Sequence, residues 1–143
     1  MTRVRLDYPG PTLFTAEIPI RITDINYGNH LAHDRLVSLL HEARLQFFRA
    51  FGFTEHDIEG RAILLVELAV TYHREAFYGQ TLRVETAIGE AGSRSCAVLY
   101  RVTDAANGET VALARTGIVF IDPASRRVVP IPPGFRALID REA

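Results

Sequence analysis

The sequence predicts an α+β domain in which a five-stranded antiparallel sheet packs on one long helix. Three observations predict it: a period-two apolar stretch around Ile18, a switch to helical period over residues 34–51, and a return to strand-like patterning beyond Gly60. One helix against one face of an antiparallel sheet is a standard way for both elements to bury their apolar sides.

The elements follow in chain order. After a lead containing Pro9, Gly10 and Pro11, the residues Ile18, Ile20 and Ile22 alternate with Pro19, Arg21 and Thr23, the pattern of a half-buried strand. Pro19 cannot donate to a ladder, which predicts an edge strand. Over 34–51 the residues Leu36, Leu40, Ala43, Phe47 and Ala50 share one helical face, and Ser38, Glu42, Gln46 and Arg49 lie opposite. Asp34 is placed in the first turn, where the helix dipole favours an anion, and Gly52 stands where the helix ends. Residues 62–73, 81–88, 94–103 and 110–121 are rich in β-branched and aromatic residues and are separated by Gly79, by Glu90 to Ser93, and by Asn107 with Gly108. The tail holds a turn at Asp122 and Pro123, a short apolar stretch at Val128 and Val129, a proline cluster, and helical turns over 134–140. Such a sheet leaves an edge or a face to be covered, so a homodimer or homotetramer is expected.

Composition narrows the function. A chain of 143 residues, 48% hydrophobic and 23% charged, builds one domain over residues 1–143 with a real core. A net charge of −1 gives no general attraction to nucleic acid or to anionic lipid. Cys96 is the single cysteine, so no internal disulfide forms, and no Cys/His cluster suggests a metal site. MTRVRLDYPGPTL lacks the apolar core of a signal peptide, and no apolar run approaches the ~20 residues of a membrane span. The expectation is a cytoplasmic protein.

Between the first strand and the helix stands DINYGNHLAH, residues 24–33, dense in polar residues. Together with LLHEARLQFF (39–48), AFYG (76–79) and VPIPPGFR (129–136), in this order and spacing, it resembles the hotdog-fold thioesterases of the 4-hydroxybenzoyl-CoA thioesterase type and the related acyl-carrier-protein thioesterases. The resemblance runs from Ala16 to Phe135 and implies a hotdog fold, a sheet wrapped around a central helix. It also implies hydrolysis of an acyl-CoA or acyl-carrier-protein thioester to a free acid and a thiol, with coenzyme A as part of the substrate and no other cofactor. The family's loop pattern D-x-D-x-x-x-H-x-N-N aligns without a gap: Asp24 takes the first acidic position and His30 the histidine position. The second acidic position is Asn26, which can donate a hydrogen bond but cannot act as a base. Ala32 and His33 stand at the two small polar positions, and a histidine at the latter contributes to the site in bacterial relatives.

Thioester hydrolysis needs a base to activate water and donors aimed at the developing oxyanion. Free backbone N–H groups at the helix start, around Asn29 to His33, meet the second need. Asp24, Asn26 and His30 are the expected catalytic residues, with Gly28, Asn29, His33, Glu42 and Glu67 toward the substrate. The base candidates are Asp24, His30, Glu42 and Glu67, the last reaching in from a strand, its own or a second subunit's. Each has another reading. Asp24 also suits a turn cap, Gly28 a positive φ, and Glu42 a solvated position. Glu67 is expected on one strand face with Leu65, Ala69 and Thr71. Two other functions stay open: an acyl-CoA-binding domain without turnover, which Asn26 favours, and a hydratase or dehydratase, whose D-x-N-P-x-H pattern overlaps this loop only in part.

Overall fold

The computed structural model describes residues 1–141. Strand β1 (Phe14–Pro19) leads through a single 3-10 turn (Ile22–Asp24) to helix α1 (His33–Ala50), followed by β2 (Ala62–Tyr72), β3 (Thr81–Gly89), β4 (Ser95–Asp104), β5 (Thr110–Ile121) and a short helix α2 (Pro133–Asp140). The strands form one sheet in the order β1-β3-β4-β5-β2, and every neighbouring pair is antiparallel. This is the expected α+β hotdog arrangement, with α1 resting on one face of the sheet.

The alternation near residue 18 holds through Ala16, Ile18 and Ile20, all buried, and stops there. Ile22, expected to continue the strand, is exposed, because the chain turns into the 3-10 helix once the Asp24 carboxylate captures the Arg21 N–H at 2.8 Å. On α1 the buried face comprises Leu36, Leu39, Leu40, Ala43, Arg44, Phe47 and Phe48, and Ala50 falls outside it at the exposed helix end. Gly52 ends the helix with φ +84°, a left-handed conformation that glycine adopts without a Cβ penalty. The core is aromatic at its centre. Phe135 of α2 meets Phe48 of α1 edge-on with ring centres 5.8 Å apart, and Phe120 of β5 at 5.1 Å.

Two features of the sheet govern the site. The two edges differ: β1 is short and ends in Pro19, whereas β2 spans eleven residues and leaves Leu64, Leu65, Val66, Leu68 and Tyr72 exposed. In addition, a bulge interrupts the β2–β5 register between Leu65 and Glu67. Leu65 pairs with Ile118 and Leu68 with Thr116, so these two leucines share the face turned toward α1. Glu67 pairs with Gly117 and occupies the opposite face with Ala69. The expected common face of Leu65 and Glu67 is therefore corrected, because one extra residue resets the alternation.

Candidate active site

The loop before α1 is built by short-range bonds. Asn29 donates its N–H to the Asn26 carbonyl at 3.1 Å, closing a turn, and Asn26 donates to the His30 carbonyl at 2.9 Å. The left-handed position in this turn is Asn29, with φ +67°, and not Gly28 as expected. A Cβ on Gly28 would stand 3.4 Å from His30 Nε2, so the glycine keeps the space beside that imidazole nitrogen open. Leu31 donates to the Ala76 carbonyl at 2.8 Å, which pins the loop to the segment joining β2 and β3.

Asp24 anchors the same loop from beneath. Its side chain is completely buried, accepts the Arg21 N–H at 2.8 Å and lies 3.3 Å from Arg21 Nη2. Its carbonyl accepts the Ala32 N–H at 2.9 Å. The carboxylate does not line the cleft described next.

That cleft, of about 520 Å³, opens at the N-terminus of α1 and is lined by Asn26, His30, Ala32, His33 and Leu36 on one side and by Tyr72 to Ala76 on the other. Ala32 occupies the N-cap position and supplies no side-chain bond, where Ser, Thr, Asp or Asn would ordinarily satisfy the first free N–H groups. The first intrahelical bond runs from Leu36 N–H to the Ala32 carbonyl, and the Arg35 N–H is taken by the Asp34 side chain at 3.0 Å. The N–H groups of His33 and Asp34 have no partner among the described residues. They provide donors and the positive end of the helix dipole for an anion or a polarised carbonyl.

His30 brings the complementary chemistry. Its Nδ1 lies 3.1 Å from the Leu31 carbonyl oxygen, an acceptor, so the neutral ring carries its proton on Nδ1 and its lone pair on Nε2. Nε2 is 3.8 Å from the Glu75 carboxylate. Asn26 Oδ1 accepts the His30 N–H at 3.3 Å, and the Asn26 amide N–H₂ has no partner among the described residues. The Tyr72 hydroxyl donates to the His33 carbonyl at 2.8 Å and ties β2 to the first turn of α1. Burial, with Asp34 nearby, pushes the Tyr72 phenol above its ordinary value.

The structure thus brings Asn26, Gly28, Asn29, His30 and His33 to one loop and helix start, with Asn26, His30 and His33 on the cleft wall. It does not bring in Glu42, which is exposed on α1 and accepts a bond from Gln46 at 2.7 Å. Glu67 lies on the far face of the sheet, paired with Arg115 at 2.9 Å, and Arg115 also holds Glu90 at 2.6 Å. Cys96 is buried, and burial pushes its thiol up to about 12, which removes it as a nucleophile. Sequence reasoning missed Tyr72, His73 and Glu75. Their one sequence signal was a cluster of polar residues immediately before AFYG, a stretch already singled out for its family likeness.

Comparison with known proteins bears on the family and the fold. The family model described as the Thioesterase-like superfamily matches residues 20–139. An L-carnitine dehydrogenase/betainyl-CoA thioesterase from Rhizobium meliloti (strain 1021) is 23% identical over 128 residues, and the match spans 89% of this chain but only 26% of that relative's length. Among solved structures, a 1,4-dihydroxy-2-naphthoyl-CoA thioesterase from Synechocystis superposes with a TM-score of 0.81 at 22% identity, covering 89% of this chain and 95% of that one. A DHNA-CoA thioesterase from Staphylococcus aureus superposes with a TM-score of 0.79 at 19% identity, covering 90% and 89%.

Proposed function

This chain belongs to the Thioesterase-like superfamily and is a thioester hydrolase, and we propose that it cleaves acyl-CoA thioesters to a free acid and coenzyme A in the cleft at the start of α1. The observation that carries this reading is the uncapped N-terminus of α1, which opens its first N–H groups on the cleft that His30 also lines.

The thioester carbonyl oxygen sits on the N–H groups of His33 and Asp34, with the Asn26 amide as a further donor. His30 Nε2 takes a proton from water as the water oxygen bonds to the carbonyl carbon. Glu75 stabilises the imidazolium that results. The tetrahedral oxyanion collapses, the C–S bond breaks, and the imidazolium returns the proton to the departing thiolate. Donors aimed at an oxyanion act without reorganising, and each contributes on the order of 100-fold or more. Asp24 positions the loop in this reading and does not exchange protons. The reaction needs no cofactor beyond the coenzyme A of its substrate.

We further assign the assembly as a homodimer that joins two β2 edges antiparallel about a two-fold axis, covering Leu65, Leu68 and Tyr72 and closing one wall of the cleft. An eleven-residue edge with apolar side chains is supported as an interface because an uncovered edge of this kind promotes aggregation. Among the described residues no helix is long and apolar enough to cross a membrane, and we assign the reaction to the cytoplasm. The lone buried Cys96 supports a chain that does not depend on disulfides.

The test is thiol release from short, medium, long and aromatic acyl-CoAs, with Asn26→Ala and His30→Ala as controls. Turnover that falls about 100-fold in each folded variant supports the site. Undiminished turnover in both overturns it, and saturable binding without turnover would favour a non-hydrolytic acyl-CoA binder.

A further inference from the structure

A second depression, of about 340 Å³, lies along the same side of α1. His33 and Leu36 line the first cleft, and Val37, Leu40, His41 and Arg44 line the second, so the two follow each other at i, i+3, i+4 spacing along one helical stripe. Leu65 and Leu68, which the β2 bulge keeps on one face, form its opposite wall. From residue 33 to residue 44 the helix rises about 16 Å, and the Arg44 side chain leans back toward the N-terminus, which shortens the separation.

The floor of this depression is polar. Arg44 is only 4% exposed, beneath an otherwise apolar helix face. Its Nε donates to Glu55, and its Nη1 donates to the Tyr100 hydroxyl at 3.2 Å, which lies 2.8 Å from Thr116 Oγ1. Burial works against the Arg44 charge, but its Tyr100 and Glu55 partners outweigh burial and hold the guanidinium above its ordinary value. Nη2 bonds to none of the described residues, although Arg44 lines the depression. A guanidinium has five N–H donors, and the Nη2 donors, left free of acceptors among the described residues where Arg44 lines the depression, are open to a ligand oxygen there.

We propose that Arg44 is a specificity-determining residue whose Nη2 donates to an oxygen acceptor at the far end of the acyl group. The inference rests on the thioester carbonyl lying at the N-terminus of α1. The acyl group then runs past Val37, Leu40, Leu65 and Leu68 as an apolar stem and ends in a hydroxyl, carbonyl or ether oxygen at Arg44. A terminal carboxylate is disfavoured because Glu55 already neutralises the guanidinium and would repel a second anion.

The test is calorimetric binding of non-hydrolysable thioether analogues of acyl-CoA, in pairs of equal chain length with and without a terminal hydroxyl, from short to long. In the wild-type protein one chain length is expected to show at least about tenfold tighter binding of the hydroxylated member. Arg44→Lys keeps a cation beside Glu55 but lacks the forked donor, and it should lose that advantage. Arg44→Met should do the same. Equal affinities within every pair in the wild-type protein would overturn the proposal without recourse to any variant, as would an advantage that persists in Arg44→Lys. Thiol release from the matching thioesters is measured in parallel. Selective binding without thiol release would sink the hydrolytic reading and leave this one standing, and indiscriminate binding with thiol release would do the reverse.

Discussion

His30 Nε2 and the Glu75 carboxylate face each other at 3.8 Å across the mouth of the cleft, while His30 Nδ1 is held by the Leu31 carbonyl at 3.1 Å. On the proposed reading this pairing gives a base held on one side by backbone and faced on the other by an anion. Replacing Glu75 with Gln keeps the size and removes the charge, so kcat should fall roughly tenfold to 100-fold with KM little changed. His30→Ala should cost more, and the double variant should cost little beyond His30→Ala alone, since the two act as a unit. Steady-state kinetics on the best acyl-CoA substrate check this. Full activity in Glu75→Gln would leave His30 without its proposed partner.

On the proposed reading Asp24 stands in the family motif and serves the loop without exchanging protons. Its buried carboxylate accepts the Arg21 N–H and ends β1, and its carbonyl holds Ala32, the residue from which α1 starts. Asp24→Ala removes the carboxylate that accepts the Arg21 N–H, a bond to a charged group, and should lower stability by about 1–3 kcal/mol. The folded fraction of Asp24→Asn, which retains an acceptor oxygen, should turn over within a few-fold of wild type on the oxyanion and base arguments above. Urea unfolding and kinetics on the same preparations separate the two effects. A loss of about 100-fold in a stably folded Asp24→Asn would return Asp24 to the role of base.

The fold was legible because its elements differ in period. A 3.6-residue stripe from Leu36 to Phe47 and the β-branched runs after Gly60 set helix and strand boundaries within a residue or two of those observed. The site was legible only as far as it is local in sequence. Asn26, His30 and His33 lie within eight residues of one another, whereas Glu75 reaches His30 from a loop 45 positions away, through a contact that no local pattern encodes. The bulge at β2 escaped notice for another reason: LLVELAV is apolar on both sides of Glu67, so an inserted residue leaves no break in its alternation. Ala32 was the overlooked clue, since an alanine at an N-cap leaves helix donors free.

The network at Arg44 makes stability depend on acid. Burial alone would raise the Glu55 carboxyl, but the bonds from Arg44 and His41 outweigh it and hold Glu55 below its ordinary value of 4.5. The folded chain therefore binds fewer protons at Glu55 than the unfolded chain does below about that pH. The contribution of Glu55 is present in full above its unfolded value and is lost as pH falls through the lower folded value. Urea midpoints measured from pH 7 down to pH 3 should fall more steeply for the wild-type protein than for Glu55→Gln, which lacks the titrating group. Parallel pH profiles for the two proteins would show that Glu55 gains nothing from Arg44 and His41 on folding.

The uneven edges of the sheet yield a prediction about assembly. β1 is blunted by its length and by Pro19, while β2 presents an unpaired backbone edge beside Leu65, Leu68 and Tyr72. Leu68 is nearly half exposed and pairs with Thr116 on the face turned toward α1, so a charge there meets solvent in a monomer and apolar surface in a dimer. Leu68→Lys should leave the monomer folded and shift the species seen by light scattering from dimer toward monomer. In the proposed dimer the partner's β2 closes the wall of the cleft that Tyr72 borders, so turnover should fall with it. Raising the protein concentration should restore the dimer. A wild-type chain that is monomeric and fully active at nanomolar concentration would remove the partner from the site.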